Sequence, residues 1–153
     1  MKAIVAFLIY SSLSVTEPVI QKNPIPVKEN IFLTMERTPC FGKCPSYKII
    51  IFNTGNVIYE GFTFVDKEGK HTKKISKKQL KEIQSQLEVI NLFELKDKYD
   101  SKMTDMPSVY LYVEYKGKKK KIIDRVGGPK ELNQFEKLID FLVIDKDLKK
   151  VVE

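Results

Sequence analysis

Two cysteines, Cys40 and Cys44, stand four positions apart in the stretch Arg37-Thr-Pro-Cys-Phe-Gly-Lys-Cys-Pro-Ser-Tyr47, and they are the only thiols of the 153-residue chain. Thiols so spaced can close a small disulfide ring, act as a redox pair or supply metal ligands. Pro39, Gly42 and Pro45 exclude a regular helix, so a tight loop presents both sulfurs. In an oxidising compartment two such neighbours pair, and the chain-entropy relation gives about 2 kcal/mol for so small a ring. A catalytic redox pair usually has a two-residue spacing, and Lys43 alone perturbs a thiol only modestly. Zinc needs four ligands, and with His71 the single histidine a site would have to recruit carboxylates. A structural disulfide is therefore expected, and no metal or cofactor.

Charged residues at the ends of expected elements form the second constellation. Arg37, Asp105, Asp124 and Arg125 would either pair and pin the Cys loop or line a polar site beside Tyr47. Tyr110 and Tyr112 fall on the solvent side of their strand, with Tyr59 as a candidate third member. A row of tyrosines there is either a recognition surface or a face that another segment covers. With one histidine in a lysine-rich strand, a Ser-His-Asp or Cys-His mechanism has little to stand on.

The net charge of +7 comes from lysine, since Arg37 and Arg125 are the only arginines. Arginine is the usual bidentate reader of phosphates and bases. Lysines cluster at Lys67 to Lys81 and at Lys116 to Lys121. Brought together, they would offer a patch to an anionic ligand; apart, they read as solvated faces and a protected sheet edge. Without interleaved stacking aromatics they argue against nucleic acid. The expected partner is a protein or an anionic ligand.

These residues must be held by a scaffold, and the chain shows one. Residues 31–37 alternate, with Ile31, Leu33 and Met35 on one side. Residues 47–52 form the next strand, Asn53-Thr-Gly-Asn56 a turn, and residues 57–65 a return strand with a bulge at Gly61. A fourth strand covers 70–75. Ser76 with Gln79 spells a capping box, followed by the helical stripe Leu80, Ile83, Leu87 and Ile90. Residues 108–115 alternate again, turn at Lys116-Gly-Lys118 and return over 119–125. Pro129 opens a second helix with the stripe Leu132, Phe135, Ile139 and Leu142. The expected fold is α+β, a mainly antiparallel sheet in the order ββββαββα with both helices on one face.

At the N-terminus, Met1-Lys2, the apolar run Ala3 to Tyr10 and the small pair Ser12 and Ser14 spell a short secretory signal. The run is well below the ~20 residues of a membrane span. Domain organisation reads as signal 1–14, proline-bearing linker 15–30, one domain over 31–145 and a charged tail 146–153. The implied compartment is periplasmic or secreted; the rival reading makes the run a buried element of a cytoplasmic protein.

The Cys loop from Arg37 to Tyr47 resembles the "R-x-P-C-F-G-x-C-P-x-Y" signature of an uncharacterised domain family of bacterial exported proteins. Tyr59-Glu-Gly61, Thr104-Asp-Met-Pro107 and Gly127-Gly-Pro129 resemble further marks of that family, over about residues 31–141. The resemblance implies an exported α+β domain and no reaction. The functional expectation is an exported, non-enzymatic binding or interaction domain. The alternatives are a thiol–disulfide redox protein using Cys40 and Cys44, and an inhibitor of a secreted enzyme.

Overall fold

Alternating apolar residues turn residues 31–74 into a meander. The structure, a computed structural model, describes residues 28–100 and 105–151. The expected signal, most of the linker and Thr104 lie outside the described residues. Strands β1 (Ile31–Arg37), β2 (Ser46–Phe52), β3 (Asn56–Thr63) and β4 (Gly69–Lys74) pair antiparallel with their sequence neighbours. Ser46 pairs with Thr63 whereas Tyr47 pairs with Gly61, so Phe62 is the extra residue of a bulge beside Gly61.

Helix α1 (Lys77–Val89) follows. Its capping box is formed as the sequence spells it: the Gln79 amide donates to Ser76 Oγ at 3.2 Å, and the Ser76 amide donates to Gln79 Oε1 at 2.8 Å. A short 3-10 turn (Leu92–Glu94) and a two-residue strand β5 (Lys98–Tyr99) lead to the hairpin β6 (Val109–Tyr115) and β7 (Lys118–Asp124). That hairpin turns through Lys116 at φ 49° and Gly117 at φ 76°, two left-handed residues of the kind that matches strand twist. Helix α2 (Lys130–Val143) and strand β8 (Lys149–Lys150) complete the order ββββαβββαβ. The two-residue strands β5 and β8 are what the expected order lacked, being too short to carry a period.

The strand order is β5-β7-β6-β1-β2-β3-β4-β8, antiparallel except for the parallel pair β5–β7. The fold is α+β with a mixed, mostly antiparallel sheet. Leu33, Met35, Ile49, Ile51, Val57, Leu111, Val113 and Ile122 from the sheet join Ile83, Leu87, Leu132, Phe135, Ile139 and Leu142 from the helices in one core. Each such side chain contributes roughly 1.5–3 kcal/mol by leaving water.

Three expectations change, and of the two arrangements open for the lysine clusters the separated one is found. A register shift between Ile31 and Leu33 leaves Ile31 exposed and buries Phe32 against Tyr115. Tyr59 is buried on the helix side between Tyr47 and His71, not on the outer face, because it shares the parity of Val57. Residues 146–151 do not trail away: Leu148 is buried and β8 pairs with β4. The lysine clusters on β4 and β7 are separated by four strands, roughly 24 Å at the usual strand spacing. Within the first cluster Lys73 is buried, its ammonium held by Asp145 and the Leu142 carbonyl.

Candidate functional site

Pairing register sets one polar row across the end of the sheet. Arg37 stands opposite both Tyr47 and Val109, and Val109 stands opposite Asp124. Arg37, Tyr47 and Asp124 share the parity of the core residues in their strands, so all three project toward the layer of α2. That helix is amphipathic, and its stripe is flanked by Glu136 and Asp140, one turn apart.

The result is a closed polar knot. Arg37 Nη2 donates to Asp140 Oδ2 at 2.8 Å, and Arg37 Nε donates to Tyr47 Oη at 2.8 Å. Tyr47 in turn donates to Asp140 Oδ1 at 2.6 Å. Burial works against the guanidinium charge, but Asp140, Tyr47 and Glu136 together outweigh it and the Arg37 pKa rises. Burial, then the Asp140 charge, pushes the Tyr47 phenol up, so it stays a donor.

Glu136 breaks the pattern. It is 3 % exposed, its Oε2 lies 3.7 Å from Arg37 Nη1, beyond hydrogen-bond reach, and its Oε1 has no hydrogen-bond partner among the described residues. Burial pushes the carboxyl up to about 7, Arg37 draws it down, and the Asp124 and Asp140 charges raise it again. Asp124, also buried, is raised mainly by burial; the Gly128 amide and Arg37 act the other way. Asn133 Nδ2 approaches it at 3.4 Å. Gly128 lets the backbone approach closely, since a Cβ at that position would displace the Asp124 carboxylate.

Around Glu136 a cleft of about 460 Å³ opens between the Cys loop, the end of β7 and α2. Cys44, Pro45 and Pro107 wall one side, and Arg125, Gly127 and Asn133 the other. Arg125 Nε donates to Ser108 Oγ at 3.0 Å and its Nη1 lies 3.4 Å from Asp100. A larger groove, about 920 Å³, runs along the β4 edge past Phe52, Ile58 and Lys74, but among the described residues it holds no buried side-chain polar atom in want of a partner.

Of the sequence-selected residues, Arg37, Tyr47, Asp124, Arg125 and Cys44 meet at this cleft. Cys40 and Cys44 are joined by a disulfide, Cα–Cα 5.6 Å, that closes the loop along its rim. Asp105 lies with Pro39, Cys40, Phe41 and Met106 at a separate depression beyond the loop. Tyr110 and Tyr112 point to the opposite side of the sheet, where the Tyr112 hydroxyl donates to Glu114 at 2.9 Å. Sequence reasoning missed Glu136, Asp140, Asn133 and Ser108. The available signal was the i, i+4 acidic pair hugging the apolar stripe of α2. Among the described residues no group of three or more His, Cys, Asp or Glu is placed to hold a metal ion, and no helix is long and apolar enough to cross a membrane.

Compared with known proteins, residues 32–143 match the family model of a domain of unknown function (DUF6438). No curated protein matches the chain, and no solved structure does.

Proposed function

The chain belongs to the family of the domain of unknown function DUF6438, and within it we propose that this protein is an exported, non-enzymatic binding domain whose recognition site is the cleft around Glu136. One observation carries this reading. Buried polar atoms in native proteins find partners, and Glu136 Oε1, which has none among the described residues, gives the cleft an acceptor for a ligand's donor. Neighbouring groups are already engaged: Arg37, Tyr47 and Asp140 hold one another, which leaves Glu136 Oε1 uncommitted. Export is supported by the disulfide, a bond that persists in oxidising compartments, and by the signal-like start.

A second reading, an inhibitor of a secreted enzyme, draws on Phe41. It is 91 % exposed at the tip of the disulfide-closed loop, the form of an aromatic anchor for a partner's pocket. The redox alternative has less behind it, since Cys40 and Cys44 lack the two-residue spacing usual in a catalytic redox pair.

Amide-resolved NMR with a library of charged and neutral small molecules and short peptides tests the site. The expected result is shift changes clustered at Ser108, Gly127, Asn133 and Glu136. Changes confined to Tyr110 and its neighbours, or robust turnover of any library member, overturn the reading.

A further inference from the structure

The charges facing the cleft differ sharply in how well they are matched. Three carboxylates look into it: Asp124 from β7, and Glu136 and Asp140 from α2. Against them stands the half-buried cation Arg37 from β1, and both its short contacts go to Asp140 and to the Tyr47 hydroxyl of β2. Asp140 is thereby neutralised. Arg125, also on the lining, is engaged by Ser108 and Asp100, and Lys137 is an exposed residue of α2 on the same lining. What remains on the floor is Glu136, nearly fully buried with an unpartnered oxygen, and Asp124, whose contacts are the Gly128 amide and a long approach from Asn133.

We infer that the cleft binds a protonated amine, the ammonium group of a small amine or of a basic side chain on a peptide, between Glu136 and Asp124. This deepens the binding role proposed above and rests on it. An ammonium carries three donors and no acceptor, so it satisfies the Glu136 oxygen and a second carboxylate at once. An anion would have to enter beside Glu136 and Asp124 while Arg37 is already engaged. A metal ion is a poorer fit, since the carboxylates are not grouped as ligands. The cavity is large enough for a short chain behind the ammonium, and Pro45, Pro107 and Val109 give it apolar wall.

Binding is coupled to a proton. Glu136 is about half protonated near pH 7, and an ammonium favours its charged form, so below that pH the carboxyl must release one proton to solvent as the amine enters. Arg37, Asp124, Asp140, Tyr47, Lys137 and Arg125 all face this event.

The experiment uses three probes of equal length on the full chain: 1,5-diaminopentane, pentanedioate and 1,5-pentanediol, followed by cleft amide shifts. Expected is binding of the diamine alone, about tenfold tighter at pH 8 than at pH 6. Glu136→Gln, which resembles the protonated carboxyl and so retains the fold, should weaken it about tenfold or more at pH 8. Asp124→Asn is the second variant and should weaken it without removing the pH dependence. If pentanedioate or the diol moves the cleft amides and the diamine does not, the amine inference falls while the cleft stands. If no probe moves them, both fall. Diamine binding that ignores pH and Glu136→Gln also overturns the inference, because a surface carboxylate would then be the site.

Discussion

Two pairs of tyrosines show what separates the two faces of this sheet. Tyr47 and Tyr59 stand on β2 and β3 toward the helices; Tyr110 and Tyr112 stand on β6 toward solvent. All four obey the same period of two. Tyr59 is 1 % exposed and Tyr47 shares its hydroxyl with Arg37 and Asp140, whereas Tyr110 is 44 % exposed. Residue type and strand position are alike, and only the layer above differs. Polar chemistry on the helix side is therefore enclosed, while on the open side it is solvated and cheap to change.

The largest expected effect tests the enclosed face. Tyr59→Ala removes a ring that packs between Tyr47 and His71 and leaves a cavity beneath the polar knot. It should cost about 3–5 kcal/mol in urea denaturation, the range for truncating a buried aromatic. A loss below about 1 kcal/mol would show that the enclosed face tolerates voids as the open one does, and the contrast would collapse.

Glu136→Gln comes next and sharpens the contrast through pH. The folded-state value of about 7 stands above the ordinary 4.5, so the folded protein holds a proton that the unfolded chain gives up. Stability from this group is thus full below about pH 4.5, declines as pH rises toward 7 and stays low above it, by about 3 kcal/mol at most. The variant has no proton to lose. It should match the wild type at pH 4 and exceed it by about 1–3 kcal/mol at pH 8, read from urea midpoints across pH. Glu114→Gln, beside Tyr112 on the open face, should leave that pH dependence unchanged. A wild-type stability flat between pH 5 and 8 would contradict the burial of Glu136.

Much of the scaffold was legible because its signals are local. Ser76 and Gln79 reach each other over three residues, the stripe of α2 recurs every three or four, and Lys116-Gly117 names its own turn. The Cys loop was legible for the same reason. The site was half legible. Arg37, Tyr47, Asp124 and Arg125 stood out as charged or aromatic residues at strand ends. Asp140 did not, since nothing within α2 distinguishes a carboxylate that will meet Arg37, 103 residues away, from one that will face water. Glu136 was harder still, because acidic residues are almost never buried and the prior points to solvent. Strands β5 and β8 escaped because two residues carry no period, and Leu148 is one apolar residue among lysines and aspartates.

The smallest effect belongs to the open face. Tyr110 has Glu36 and Ile123 as its cross-strand neighbours, and its alanine variant gives up part of each contact without opening a cavity. Cross-strand pairs are worth roughly 0.2–1 kcal/mol, so Tyr110→Ala should cost less than about 1 kcal/mol at any protein concentration. The concentration series is the informative arm. A loss above about 2 kcal/mol that grows with protein concentration would mean that a second copy covers this face in solution, and the two faces would then differ in their partner, not in their exposure.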